Sequence, residues 1–173
     1  SSDGGSIYVY NVAAHLNISH CVFFNNRAGA AGGAIYADDG QPNLFFSFAR
    51  FTENKADDYS GGAVYLGHAK LVDHSSMYNL NTAMNGGALS LSYGSFSFFK
   101  SSLVSNTAGW GGAGIYIYGE SSEPSFLDMS SVTLQSNKQI DGGTEGYEGG
   151  WYGGGGLYLQ YKVTANIREC TFI

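Results

Sequence analysis

Carboxylates are the residues here best placed to do chemistry. They fall in polar, turn-like stretches: Asp38-Asp39, Asp57-Asp58, Glu120 with Glu123, and Asp141, Glu145 and Glu148. Two carboxyl groups converging on one face would serve polysaccharide cleavage by general acid and base. Asp38-Asp39 and Asp57-Asp58, if on neighbouring turns of the chain, would suit Ca²⁺ through oxygen ligands. Solvated turn acids are the simpler reading of both. His15, His20, His68 and His74 lack the His-x-x-x-His spacing of a metal pair. No Gly-x-Ser-x-Gly element presents a nucleophile. No catalytic residue, metal or cofactor is therefore assigned, and the chain reads as a non-enzyme.

Binding chemistry is better represented. Tyr8, Tyr36, Tyr65, Tyr116 and Tyr158, with Ser90 between the third and fourth, each sit between two apolar residues in a recurring phrase. A column of such rings on a sheet would meet sugar rings or a partner protein with little entropy lost. A stretch from Gln139 to Tyr152 adds Tyr147, Trp151 and Tyr152 among many glycines. Long loops on a rigid scaffold often carry recognition. Asn17-Ile18-Ser19 is the one Asn-x-Ser/Thr sequence, so Asn17 is the candidate glycan acceptor.

These residues are positioned by a repeat. Gly-Gly-small-apolar-x-apolar begins at Gly4, Gly32, Gly61, Gly86, Gly112 and Gly154, with starts 28, 29, 25, 26 and 42 residues apart. Between copies comes an apolar anchor followed three places later by Asn: Phe23/Asn26, Phe51/Asn54, Tyr78/Asn81, Leu103/Asn106 and Leu134/Asn137. Positions seven, five and two before each anchor are mostly apolar or small, as in Leu44, Phe46 and Ala49. Asp73 breaks that pattern, which predicts a local shift of its strand.

Apolar steps of two mean strands, and a constant order at this period means a coil in which each repeat is one turn. The prediction is all-β: a single-stranded right-handed parallel β-helix of about six rungs of 25–30 residues, with an insertion near 139–152. A β-sandwich or barrel would not keep both phrases in fixed order and spacing. Gly-Gly would turn the chain through φ > 0, the anchors would stack inside, and Asn26, Asn54, Asn81, Asn106 and Asn137 would form a ladder of amides. Residues 1–173 read as one continuous solenoid segment, continuing into a longer one or joined end to end with copies of itself. Cys21 and Cys170 share a repeat position and are expected at small buried corners, too far apart for a disulfide with each other.

The formal net charge of −6 argues against nucleic acid, and no apolar run is long enough to cross a membrane. Phe51-Thr52-Glu53-Asn54 with Gly61-Gly62-Ala63-Val64, and Phe23-Phe24-Asn25-Asn26 with Gly32-Gly33-Ala34-Ile35, resemble the repeats of chlamydial polymorphic outer membrane proteins. Later copies drift, with Leu at 103 and 134 and Gly at 114 and 156. The resemblance implies an extracellular or cell-surface adhesin or scaffold, often an autotransporter passenger, with structural rather than catalytic repeat residues. Its implied partners are neighbouring solenoid segments, glycans or host and cell-surface molecules. Carbohydrate binding and polysaccharide cleavage are the alternative functions.

Overall fold

The computed structural model describes residues 3–140 and 153–173. Its 23 strands pair in parallel into four sheets, three of six strands and one of five. The first turn shows the plan: β1 (Ile7–Tyr10), β2 (His15–Ser19), β3 (Val22–Phe24) and β4 (Arg27–Ala28) each begin a different sheet. Each strand pairs with its counterpart one repeat later, as Ile7 with Ile35 and Phe23 with Phe51. The chain is therefore a β-solenoid. Among the described residues five turns have all four strands, and the sixth has three, ending in β23 (Thr171–Phe172).

The inward side chains make the core. Ile35, Val64, Leu89 and Ile115 are completely buried from the first sheet, and Phe46, Phe51, Tyr78 and Leu103 from the next two. Anchor rings stack along the axis: Phe23 on Phe51 at 4.8 Å and Phe51 on Tyr78 at 4.9 Å, with planes within 6°. That spacing is the distance between hydrogen-bonded strands, so a repeated aromatic stacks offset on its copy without adjustment.

The Asn column closes the corner between the third and fourth sheets. Asn81 accepts the Asn54 backbone N–H and the Asn54 Nδ2, both at 2.9 Å, on one oxygen. Its own Nδ2 donates to Asn106 Oδ1 and to the Phe51 carbonyl. Asn54, Asn81 and Asn106 have no exposed surface, and this exchange leaves none of their side-chain amide groups unpaired.

The two glycines of the opening phrase do different work. Gly61 has φ +70°, whereas Gly62 is needed for closeness: a Cβ there would lie 2.1 Å from the Gly87 carbonyl of the next turn. Other left-handed corners carry no glycine. His20, Phe48, Ser75, Lys100, Ser131 and Glu169, each three before an anchor, have φ between 51° and 59°. Each of the inner ones donates its N–H to the next turn, as Phe48 to the His74 carbonyl at 3.0 Å. That bond offsets a conformational cost of roughly 1–2 kcal/mol.

Two expectations need correction. The strand bearing Asp73, β10 (Lys70–His74), does not shift: Asp73 stays in register between Phe46 and Phe98 and is completely buried. Its Oδ2 accepts the Tyr78 hydroxyl at 3.0 Å. A tyrosine replaces phenylalanine as anchor in the very repeat where the carboxylate enters the core. The cysteines are not buried corners either. Ala49, Ser76, Ser101 and Val132 are buried at that position, but Cys21 is exposed and Cys170 half-buried, because each lies on an outermost turn of the described coil.

Candidate functional site

The first sheet carries the tyrosine column in exact strand register: Tyr8, Tyr36, Tyr65, Ser90, Tyr116 and Tyr158. Strand alternation puts all six on the outer face while their neighbours fill the core. The first three rings stack face to face, whereas Tyr116 and Tyr158 are tilted at 52°. Tyr8 lies 5.2 Å from Tyr36, and Tyr36 lies 5.1 Å from Tyr65, with planes within 13°. From Tyr8 to Tyr65 the facing ring surfaces are thus spent on one another along the coil axis. Burial pushes the hydroxyls of Tyr36, Tyr65 and Tyr116 well above the ordinary tyrosine range, with nearby acidic groups and tyrosines adding to it. They are neutral donors at any physiological pH.

The stack breaks at Ser90. On β13 (Leu89–Ser92) both outward residues are serines, Ser90 and Ser92. The turn before offers Tyr65 and Gly67 on β9 (Val64–Gly67), and the turn after offers Tyr116 and Tyr118 on β17 (Ile115–Gly119). A cavity of about 300 Å³ opens there, with Ser90 and Ser92 beneath, Tyr65, Tyr116 and Tyr118 as end walls, Tyr59, Ser60 and Asn85 on one flank and Tyr93 on the other. Tyr93 and Tyr118 both donate to Glu120 Oε1, at 3.3 and 2.6 Å, which sets a carboxylate beside the opening.

Tyr93 also borders a second groove of about 290 Å³, lined by His68, Lys70, Glu123 and Pro124 among others. There His68, stacked on Tyr93 at 4.9 Å, is held by three carboxylates. Its Nδ1 lies 3.0 Å from Asp38 Oδ1 and 3.4 Å from Asp39 Oδ1, and its Nε2 lies 3.1 Å from Glu123 Oε2. Burial pulls the imidazole pKa down, but hydrogen bonds and charge from Asp38 and Glu123 outweigh it, and the net shift is upward. The donor atoms of Asp38, Asp39 and His68 lie within 4.8 Å of one another, close enough to hold a divalent cation. Both ring nitrogens already have carboxylate partners, so the cluster is satisfied as it stands. The expected union of Asp38-Asp39 with Asp57-Asp58 does not occur. Asp57 is instead paired with Arg27 at 2.7 Å and Lys55 at 3.1 Å, which hold its carboxyl below the usual range.

Asn17 is exposed on the outer face of the second sheet beside Phe45, with Ile18 pointing inward. Tyr147, Trp151 and Tyr152, with Asp141, Glu145 and Glu148, lie outside the described residues. Among the described residues no pair of carboxylates faces a groove without a basic partner in the manner of a glycosidase. Sequence reading missed the His68 cluster, whose members are 30 and 55 residues apart. It placed Ser90 in the column as the one non-aromatic member of the phrase's middle position but passed over Ser92 beside it.

Residues 20–38 match the Chlamydia polymorphic membrane protein repeat. The chain is also similar to the probable autotransporter YfaL of Escherichia coli (strain K12), with 38% identity over 68 residues. That match takes in 37% of this chain and 5% of the relative's length. No solved structure matches the chain. The chain thus carries a repeat of the polymorphic membrane protein type, folded as a parallel β-solenoid.

Proposed function

We infer that this chain is a non-catalytic, surface-exposed length of β-solenoid, at the cell surface or outer membrane, whose work is reach, stiffness and display. The observation that carries the reading is the unbroken column of satisfied Asn amides and stacked anchors from turn to turn, which makes a stiff rod whose outer residues are free to vary. The repeat match and the likeness to a probable autotransporter support surface exposure, and an adhesive or fibre-forming role extends it. Its partners are then neighbouring solenoid segments along the axis and glycans or other cell-surface molecules at the sides. Immunogold labelling of intact source cells with antibody to this chain tests it. Labelling before permeabilisation, on projections from the envelope, is the expected result. Label that appears only after permeabilisation refutes it.

A further inference from the structure

We propose that the break in the tyrosine column at Ser90 is a binding slot for the pyranose ring of a neutral sugar. The geometry of the column states the size of what is missing. Rings one turn apart stack at 5.1–5.2 Å. Tyr65 and Tyr116 are two turns apart, about 9.6 Å along the axis, so one ring's thickness is vacant between them. Elsewhere in the column the neighbouring tyrosine occupies that place. Here two serines do, and the cavity above them is the result.

Its polar groups point to a sugar rather than an aromatic side chain. Ser60, Ser90 and Ser92 are 2%, 1% and 7% exposed. Among the described residues their hydroxyls make no hydrogen bond, nor does the side chain of Asn85. None of the three hydroxyl oxygens is sealed from solvent, so around this one cavity they are donors and acceptors open to a ligand. A pyranose has an apolar face to lay on a tyrosine and hydroxyls at its edge to meet Ser and Asn groups. An aromatic ring would leave those groups unmet.

Charge narrows the class. Glu120 stands beside the opening and accepts hydrogen bonds from the Tyr93 and Tyr118 hydroxyls, and the chain's formal net charge is −6. A uronic or sialic acid would be repelled, and a neutral or N-acetylated hexose would not. Tyr59 is 55% exposed and tilts against Tyr65 at 6.5 Å.

The site deepens the adhesive part of the reading above and can fail without it, since surface labelling does not depend on sugar binding. The test is saturation-transfer NMR and titration of the purified chain with methyl glucoside, methyl galactoside, N-acetylglucosamine and glucuronate. N-Acetyltryptophanamide is the aromatic comparator. At least one neutral sugar is expected to bind with a dissociation constant on the order of 1 mM, ordinary for a ligand of about a dozen heavy atoms. Ser90→Tyr completes the column and is expected to weaken that binding roughly tenfold or more. Its unchanged circular dichroism and melting would show the coil intact. Ser92→Ala, which keeps the slot open but removes a hydroxyl, should weaken it less, and Tyr8→Ala, far from the slot, should leave it unchanged. Binding by no neutral sugar, equal binding to the Ser90→Tyr chain, or preference for glucuronate or the tryptophan amide would each overturn the proposal.

Discussion

Replacing Asp73 by asparagine should make the solenoid more stable at neutral pH and no more stable in acid. Asp73 is completely buried between Phe46 and Phe98, and its Oδ1 has no hydrogen-bond partner among the described residues. Burial pushes its pKa from 3.8 to about 6, with the polar groups of Ser76, Tyr78 and Ser101 offsetting it only in part. Between pH 3.8 and about 6 the folded chain holds a proton that the unfolded chain has lost. Stability therefore falls as pH rises through that window and levels off above it. At about 1.4 kcal/mol per pH unit, the difference between 3.8 and about 6 amounts to roughly 3 kcal/mol by pH 7.5. Asparagine keeps an acceptor for the Tyr78 hydroxyl and never ionises. Urea unfolding at pH 4 and pH 7.5 reads the effect, because every other carboxylate is common to both chains and cancels in the comparison. With a urea dependence of about 2 kcal/mol/M, the Asp73→Asn midpoint should lie roughly 1.5 M above the parent at pH 7.5 and near it at pH 4. Asp73→Leu with Tyr78→Phe, which restores the apolar pattern of the flanking repeats, should behave like Asp73→Asn. Equal midpoint differences at both pH values would refute the claim that this carboxyl is forced to ionise inside the core.

Two further outcomes follow from the same geometry. Asn81→Ala removes the acceptor of the Asn54 N–H and of one of the two Asn54 Nδ2 bonds, and a donor to the Phe51 carbonyl, in a dry corner; at about 1–3 kcal/mol for each group left unpaired it should cost several kcal/mol, read as lost amide-exchange protection in the turns on either side. His68 has a folded-state pKa above 6.5, so its ties to Asp38 and Glu123 stabilise fully below that value and are lost as pH rises through the folded pKa. An NMR titration of the ring should show the raised value, and Glu123→Gln should lower it.

Much of the fold is legible in the sequence because a solenoid repeats its instructions. The Gly-Gly phrase marks the first sheet, the anchor and its Asn mark the third sheet and the next corner, and the apolar pair before the anchor marks the second. The left-handed corners at Phe48 or Lys100 were not legible, because bulky residues there give no composition signal. Their conformation is held by a backbone bond to the next turn. Asp73 misled for a related reason. Read along its own strand it looks like an error, and the Tyr78 hydroxyl, with Ser76 and Ser101 near by, is what offsets the cost of its inward place. The substitution of Tyr for Phe in that same repeat was the signal available.

The sequence by itself determined the period, the parallel strands, which columns face inward and the site of the missing tyrosine, because each depends on spacing that every repeat states again. Tertiary structure alone decided that Tyr8, Tyr36 and Tyr65 spend their faces on one another, that the break at Ser90 opens a cavity lined by hydroxyls, and that His68 gathers carboxylates from two other turns. Stacking turns residues some thirty positions apart into neighbours at strand spacing. What a side chain meets there is set by the rings, corners and loops of the adjoining turns, about which its own repeat says nothing.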